Sequence, residues 1–135
     1  MRKSNQNQDI HEHWDFLITK DEKAHKVEVK AVKKINRRDV STQSEWFWVE
    51  FRGVRDEGWL NGKADIIVLE REDEFWIVRR YDLRAKAEIL VDKSKIVSTP
   101  EQAKYKLYQR KNRQDLISLI EFAKIADLEK TIWKK

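Results

Sequence analysis

Cysteine is absent from these 135 residues, proline occurs once and glycine three times. Without thiols, disulfide frameworks and thiolate-held metals are excluded, and a reducing, cytoplasmic setting suits the chain. So little glycine and proline leaves no flexible linker, and residues 1–135 read as a single domain. A chain of that length buries roughly two-thirds of its unfolded surface. No apolar run approaches the ~20 residues of a membrane span, so no membrane partner is expected. The opening Met1-Arg-Lys-Ser has no apolar segment behind its charges and does not read as a secretory leader.

Charge and aromatic bulk take the place of what is missing. Charged residues make up 39%, with 29 Lys and Arg against 24 Asp and Glu, a net +5. This mild excess permits a polyanionic partner without requiring one. Six Trp, five Phe and three Tyr supply core volume. No internal repeat or low-complexity tract is present.

The hydrophobic pattern predicts an α/β fold: a central mixed sheet of about five strands flanked by helices. Residues 13–19 and 25–33 read as two strands joined by the charged turn Lys20-Asp-Glu-Lys23, an antiparallel hairpin. Trp46–Phe51 reads as a third strand, antiparallel to its predecessors. Ala64–Leu69 and Phe75–Val78 read as two more strands, and Tyr81–Val91 has helical spacing. Lys104–Arg110 has weaker strand character. Leu116, Leu119, Ile120 and Ala123 fit a helix, and Leu116–Ile120 fits equally a strand followed by a short helix around Ile125–Leu128.

The candidate functional residues lie in the first hairpin. Asp15 is embedded in the apolar run Trp14–Ile18, and Glu28-Val29-Lys30 sits in the next. Ionised groups enter apolar surroundings only with partners. Alternate strand residues share a face, so Glu28 and Lys30 project together. A register that lays Asp15 beside Glu28 brings two carboxylates to one divalent cation, Mg²⁺ or Mn²⁺. The Val29 carbonyl offers a further oxygen. Lys30 is then placed to orient a water or to balance developing negative charge. That is the chemistry of phosphodiester hydrolysis.

This arrangement resembles the PD-(D/E)XK nuclease superfamily, which has the restriction-endonuclease-like fold, and in particular small phage and bacterial members. Asp15 stands at the first strand and Glu28-Val29-Lys30 on the second. A later aromatic strand, Trp48-Val-Glu-Phe51, and a glycine-punctuated turn, Gly58–Asp65, follow. The resemblance implies a metal-dependent DNA nuclease, endonucleolytic in mode, with Asp15 and Glu28 as metal ligands and Lys30 catalytic. It also implies that homodimers are an expected working form, since one site cuts one strand.

Further residues extend the candidate set. Lys33, Lys34, Arg37 and Arg38 crowd the loop after the second strand and are expected to touch DNA phosphates. A second basic cluster runs from Lys104 to Arg113. Gln43 and Glu50 are candidate secondary groups behind the metal, Asp65 a similar group or a turn cap, and Trp59 a candidate for contact with a base or a partner subunit. His11 and His13 alternate with Asp15, but the only other histidine is His25, too few for a histidine-rich zinc centre. The rival expectation is a non-catalytic DNA-binding or assembly protein on the same fold.

Overall fold

The computed structural model describes residues 2–3, 15–20, 23–31, 42–53 and 57–135. Among them the protein is mixed α/β with strands dominant. Six strands form one mixed sheet: β1 (Arg2–Lys3), β2 (Phe16–Lys20), β3 (Lys23–Lys30), β5 (Ile66–Glu70), β6 (Glu74–Arg79) and β10 (Lys130–Lys134), side by side in that order. Four more form a second mixed sheet in the order β4 (Trp46–Arg52), β9 (Leu116–Glu121), β8 (Lys106–Tyr108) and β7 (Asp92–Val97). The one-turn α1 (Thr42–Glu45) leads into β4, and α2 (Arg80–Leu90) follows β6 directly.

The expected hairpin is present. β2 and β3 pair antiparallel with Phe16 opposite Val27 and Lys20 opposite Lys23. Among the described residues the strands fall into two sheets in place of the expected single five-stranded one, and α2 is the one helix longer than a turn. The third predicted strand does not continue the antiparallel run. β4 leaves for the second sheet, where Phe47 faces Ile120 and Val49 faces Ser118 on β9. The free edge of β3 is taken instead by β5, which runs parallel to it with Glu28 opposite Ile67 and Lys30 opposite Leu69. The physical reason lies in the two patterns. Ile66-Ile-Val-Leu69 is continuously apolar, as a central parallel strand requires. β4 carries an apolar row, Phe47, Val49 and Phe51, and pairing with β9 sets that row against the core.

One hydrophobic cluster joins the layers. Ile67, Leu69, Trp76 and Val78 come from the first sheet, and Val49, Phe51 and Ile120 from the second. Leu60, from a 3₁₀ turn at Trp59–Asn61, and Leu83 and Ala87 of α2 complete it. Each buried Leu or Ile contributes about 1.5–3 kcal/mol relative to exposure. α2 forms because its eleven residues contain no Gly or Pro, and the four-residue spacing of Leu83 and Ala87 gives it one buried stripe.

Arg71 bolts the sheets together. Its guanidinium lies 4.7 Å from the Trp76 ring centroid and 4.3 Å from that of Phe122. Its Nη2 donates to the Ser44 carbonyl at 3.0 Å. The ambiguous tail resolves as strand β9, as the second alternative has it, followed by a 3₁₀ turn at Phe122–Ile125 that comes earlier than the short helix expected around Ile125–Leu128.

Candidate active site

Glu28 and Lys30 share the face of β3 that looks toward the core, opposite Ile67 and Leu69. This follows from the two-residue period of the strand. Glu28 is only 5% exposed. Lys30 Nζ lies 2.6 Å from Glu28 Oε1 and 5.1 Å from the Trp59 ring centroid. The pair is therefore an ion pair in apolar surroundings, with an indole covering the ammonium. A buried pair of this kind adds little net stability over apolar residues of the same volume. The pair lies on β3, inside the six-stranded sheet between β2 and β5.

Asp15 grips the same stretch of β3. Its N–H donates to the Val27 carbonyl at 2.6 Å, and its Oδ2 accepts the Val29 N–H at 2.7 Å. The two bonds straddle Glu28, so the carboxylates of Asp15 and Glu28 belong to one short segment of the hairpin. The paired register begins at Phe16 opposite Val27, and Asp15 stands just beyond it. Val29 takes part through its amide, and its side chain, on the opposite face, is 37% exposed.

The other expectations divide. Trp59 is not a surface contact: it is 5% exposed and packs beneath Lys30. The loop places it there because Gly58 tucks against β4. A Cβ on Gly58 would meet the Glu50 carbonyl oxygen at 2.2 Å and Arg52 N at 2.8 Å. Asp65 is a tie between strands: its Oδ2 accepts the Lys26 N–H at 2.8 Å, and its own N–H donates to the Lys26 carbonyl at 2.8 Å. Gln43 falls in α1, and Glu50 lies half-buried on β4 in the second sheet. Lys33, Lys34, Arg37 and Arg38 lie outside the described residues, as do His11 and His13.

Sequence reading missed Arg80. Its Nε donates to the Ala64 carbonyl at 2.7 Å and its Nη1 to the Leu60 carbonyl at 2.9 Å. Burial lowers the pKa of this guanidinium, helped by Arg84 and opposed by Asp65. Arg80 thus fixes the loop that carries Trp59. No local pattern marks it, since its acceptors are carbonyls distant in sequence.

The donor set is two carboxylates beside an ammonium. Among the described residues, no group of three or more His, Cys, Asp or Glu gathers to hold a metal. Mg²⁺ is commonly held by one or two carboxylates plus substrate phosphates and water, and Asp15 with Glu28 fits that pattern. No helix among the described residues is long and apolar enough to cross a membrane. Comparison with protein-family models, curated proteins and solved structures finds no match for the chain.

Proposed function

We propose that the protein is a metal-dependent deoxyribonuclease acting as an endonuclease on DNA phosphodiester bonds. The observation that carries this reading is the 2.6 Å contact between Lys30 and Glu28 in a buried setting, with the Asp15 carboxylate fixed to the adjoining residue. Asp15 and Glu28 would hold Mg²⁺ or Mn²⁺ through hard anionic oxygens. Bound there, the cation would polarise the scissile phosphate and acidify a water. Lys30, kept in place by Glu28 and Trp59, orients the attacking water or balances charge that develops on the phosphate. The apolar walls around Glu28 strengthen each of these interactions by excluding bulk water.

The same reading sets the protein in the cytoplasm, with DNA as its partner and two copies acting together where both strands of a duplex are cut. The absence of cysteine and the net charge of +5 support it.

A second reading is a non-catalytic DNA-binding or assembly protein. The mutual neutralisation of Glu28 and Lys30 favours it, because such a pair is complete without a metal. One experiment separates the two. Supercoiled plasmid, linear duplex and single-stranded circles are incubated with the protein in Mg²⁺ or Mn²⁺, beside Glu28→Gln and Lys30→Met. Metal-dependent cleavage that drops at least about a hundredfold in both variants supports the nuclease. Intact DNA in every lane, with binding retained, supports the binding protein.

A further inference from the structure

The second sheet has one face on the core and a second face that is aromatic where a solvated sheet would be polar. Trp46 and Trp48 alternate with the core-facing Phe47 and Val49, so they project away from the core. They pack with Tyr108 and Val97 over the fully buried Leu119 and Ala103. Trp48 and Tyr108 have ring centroids 5.8 Å apart, tilted by 55°. Both are half-buried, with part of each residue left open to solvent. Aromatic surface left partly open in this way marks contact with another molecule.

Charge surrounds the rings. Lys104 Nζ lies 4.8 Å from the Trp46 ring centroid. Lys106 is exposed and shares the face of Tyr108, two residues along β8. From Lys104 to Gln114 the chain carries five basic residues and no acidic one. Acidic groups nearby include Glu50, half-buried at the end of the Trp46–Trp48 row, Glu121, which accepts the Tyr105 hydroxyl at 2.5 Å, and buried Asp115, which is ion-paired with Arg110 and so takes that one charge out of the basic run.

We propose that Trp48 and Tyr108, flanked by Lys104 and Lys106, form a stacking platform for single-stranded DNA. Ring planes take the faces of unpaired bases, and ammonium groups take the phosphates. A duplex keeps its base faces stacked internally and offers such rings nothing. An acidic peptide would use the lysines and leave the tryptophans idle. The choice of DNA rests on the nuclease reading above, and the platform gives that nuclease a substrate class. β4 connects the two regions: it begins at Trp46, and Phe51 near its far end accepts hydrogen bonds from Gly58 and Asn61, which flank Trp59 over Lys30.

The test is fluorescence anisotropy of a labelled oligothymidylate with the whole protein, in EDTA so that binding is read without cleavage. Tryptophan emission is followed in the same titration. The expected result is quenched emission, and affinity weakened about tenfold or more by Trp48→Leu and by Tyr108→Leu. Trp48→Phe, which keeps a ring, should lose less. Ile89→Ser, on the exposed face of α2, should bind as the wild type does. Unchanged affinity in Tyr108→Leu and Trp48→Phe, together with unquenched emission in the wild type, overturns the platform. Tighter binding of duplex DNA or of an oligouridylate overturns its assignment to single-stranded DNA. Binding that needs the rings, in a protein that cleaves nothing with metal, leaves the platform standing and removes the nuclease reading alone.

Discussion

Glu28 keeps company with Lys30 at 2.6 Å while almost wholly buried, and that closeness makes single and double substitutions behave differently. Lys30→Met leaves a carboxylate among apolar neighbours, and a broken buried pair costs about 3–5 kcal/mol. Replacing both members, as Glu28→Gln with Lys30→Met, removes the stranded charge. The double variant should therefore unfold at a higher urea concentration than Lys30→Met alone. A double variant less stable than the sum of the single losses would show that the pair holds the hairpin together. The titrating groups outside the site give a separate expectation at this scale. Glu74 is held below its ordinary 4.5, first by the hydrogen bond from Lys134 and then by that from Trp76. A carboxylate lowered by folding stabilises the fold above its unfolded value, and that contribution disappears as pH falls through the lowered one. Tyr105 is shifted the other way: burial, then the hydrogen bond to Glu121, raise its phenol above the ordinary 10.0. Its contribution is complete below pH 10.0 and is lost as pH rises through the raised value. Tm measured against pH should thus fall at both extremes. Glu74→Gln should flatten the acid limb and Tyr105→Phe the alkaline one.

At the scale of elements, the contact between the Trp59 loop and β4 decides how the candidate site is supported. Gly58 lies against backbone atoms of Glu50 and Arg52 that have no room to move aside. Gly58→Ala should cost about 1–3 kcal/mol by overpacking. Because Trp59 follows immediately, it should also lower any metal-dependent cleavage at saturating DNA. Urea titration and cleavage assays on the same preparation check both effects, and a fully stable, fully active Gly58→Ala would refute the account of this contact. The elements also show how far the sequence could be read. The β2–β3 hairpin and the facing of Glu28 with Lys30 were legible because a strand has a strict two-residue period. The destination of β4 was not, because an aromatic pattern says that a strand is covered without naming its neighbour. β7 and β10 were invisible: Asp92-Lys-Ser-Lys95 and Lys130-Thr-Ile-Trp-Lys134 are edge strands whose charges hide their extended backbone. Trp59 was misread because glycines around it suggested a surface turn, while its indole is buried against Lys30. Arg71 and Arg80 act across layers and leave no local signature.

For the molecule as a whole, the two sheets divide the work that the proposals assign. The first carries the carboxylates and Lys30, and the second carries the rings and the basic run from Lys104 to Arg113. If single-stranded DNA is held mainly by the second sheet, its affinity should fall steeply with salt, because each phosphate neutralised releases a condensed counterion. For single strands the logarithmic slope is about −0.7 per phosphate contacted. Lys106→Gln with Lys111→Gln should then make the slope shallower by about 1.4. Cleavage at saturating DNA should be unaffected, since Lys106 lies on β8 of the second sheet, Lys111 follows it, and Glu28 is on β3 of the first. Conversely, Glu28→Gln should abolish cleavage and leave the salt slope as it was. Titrations at several salt concentrations, paired with cleavage assays on the same variants, read both arms. A double lysine variant with an unchanged slope would move the phosphate contacts off the second sheet. Lys33, Lys34, Arg37 and Arg38, which follow β3 in the sequence, would then be the residues to substitute next.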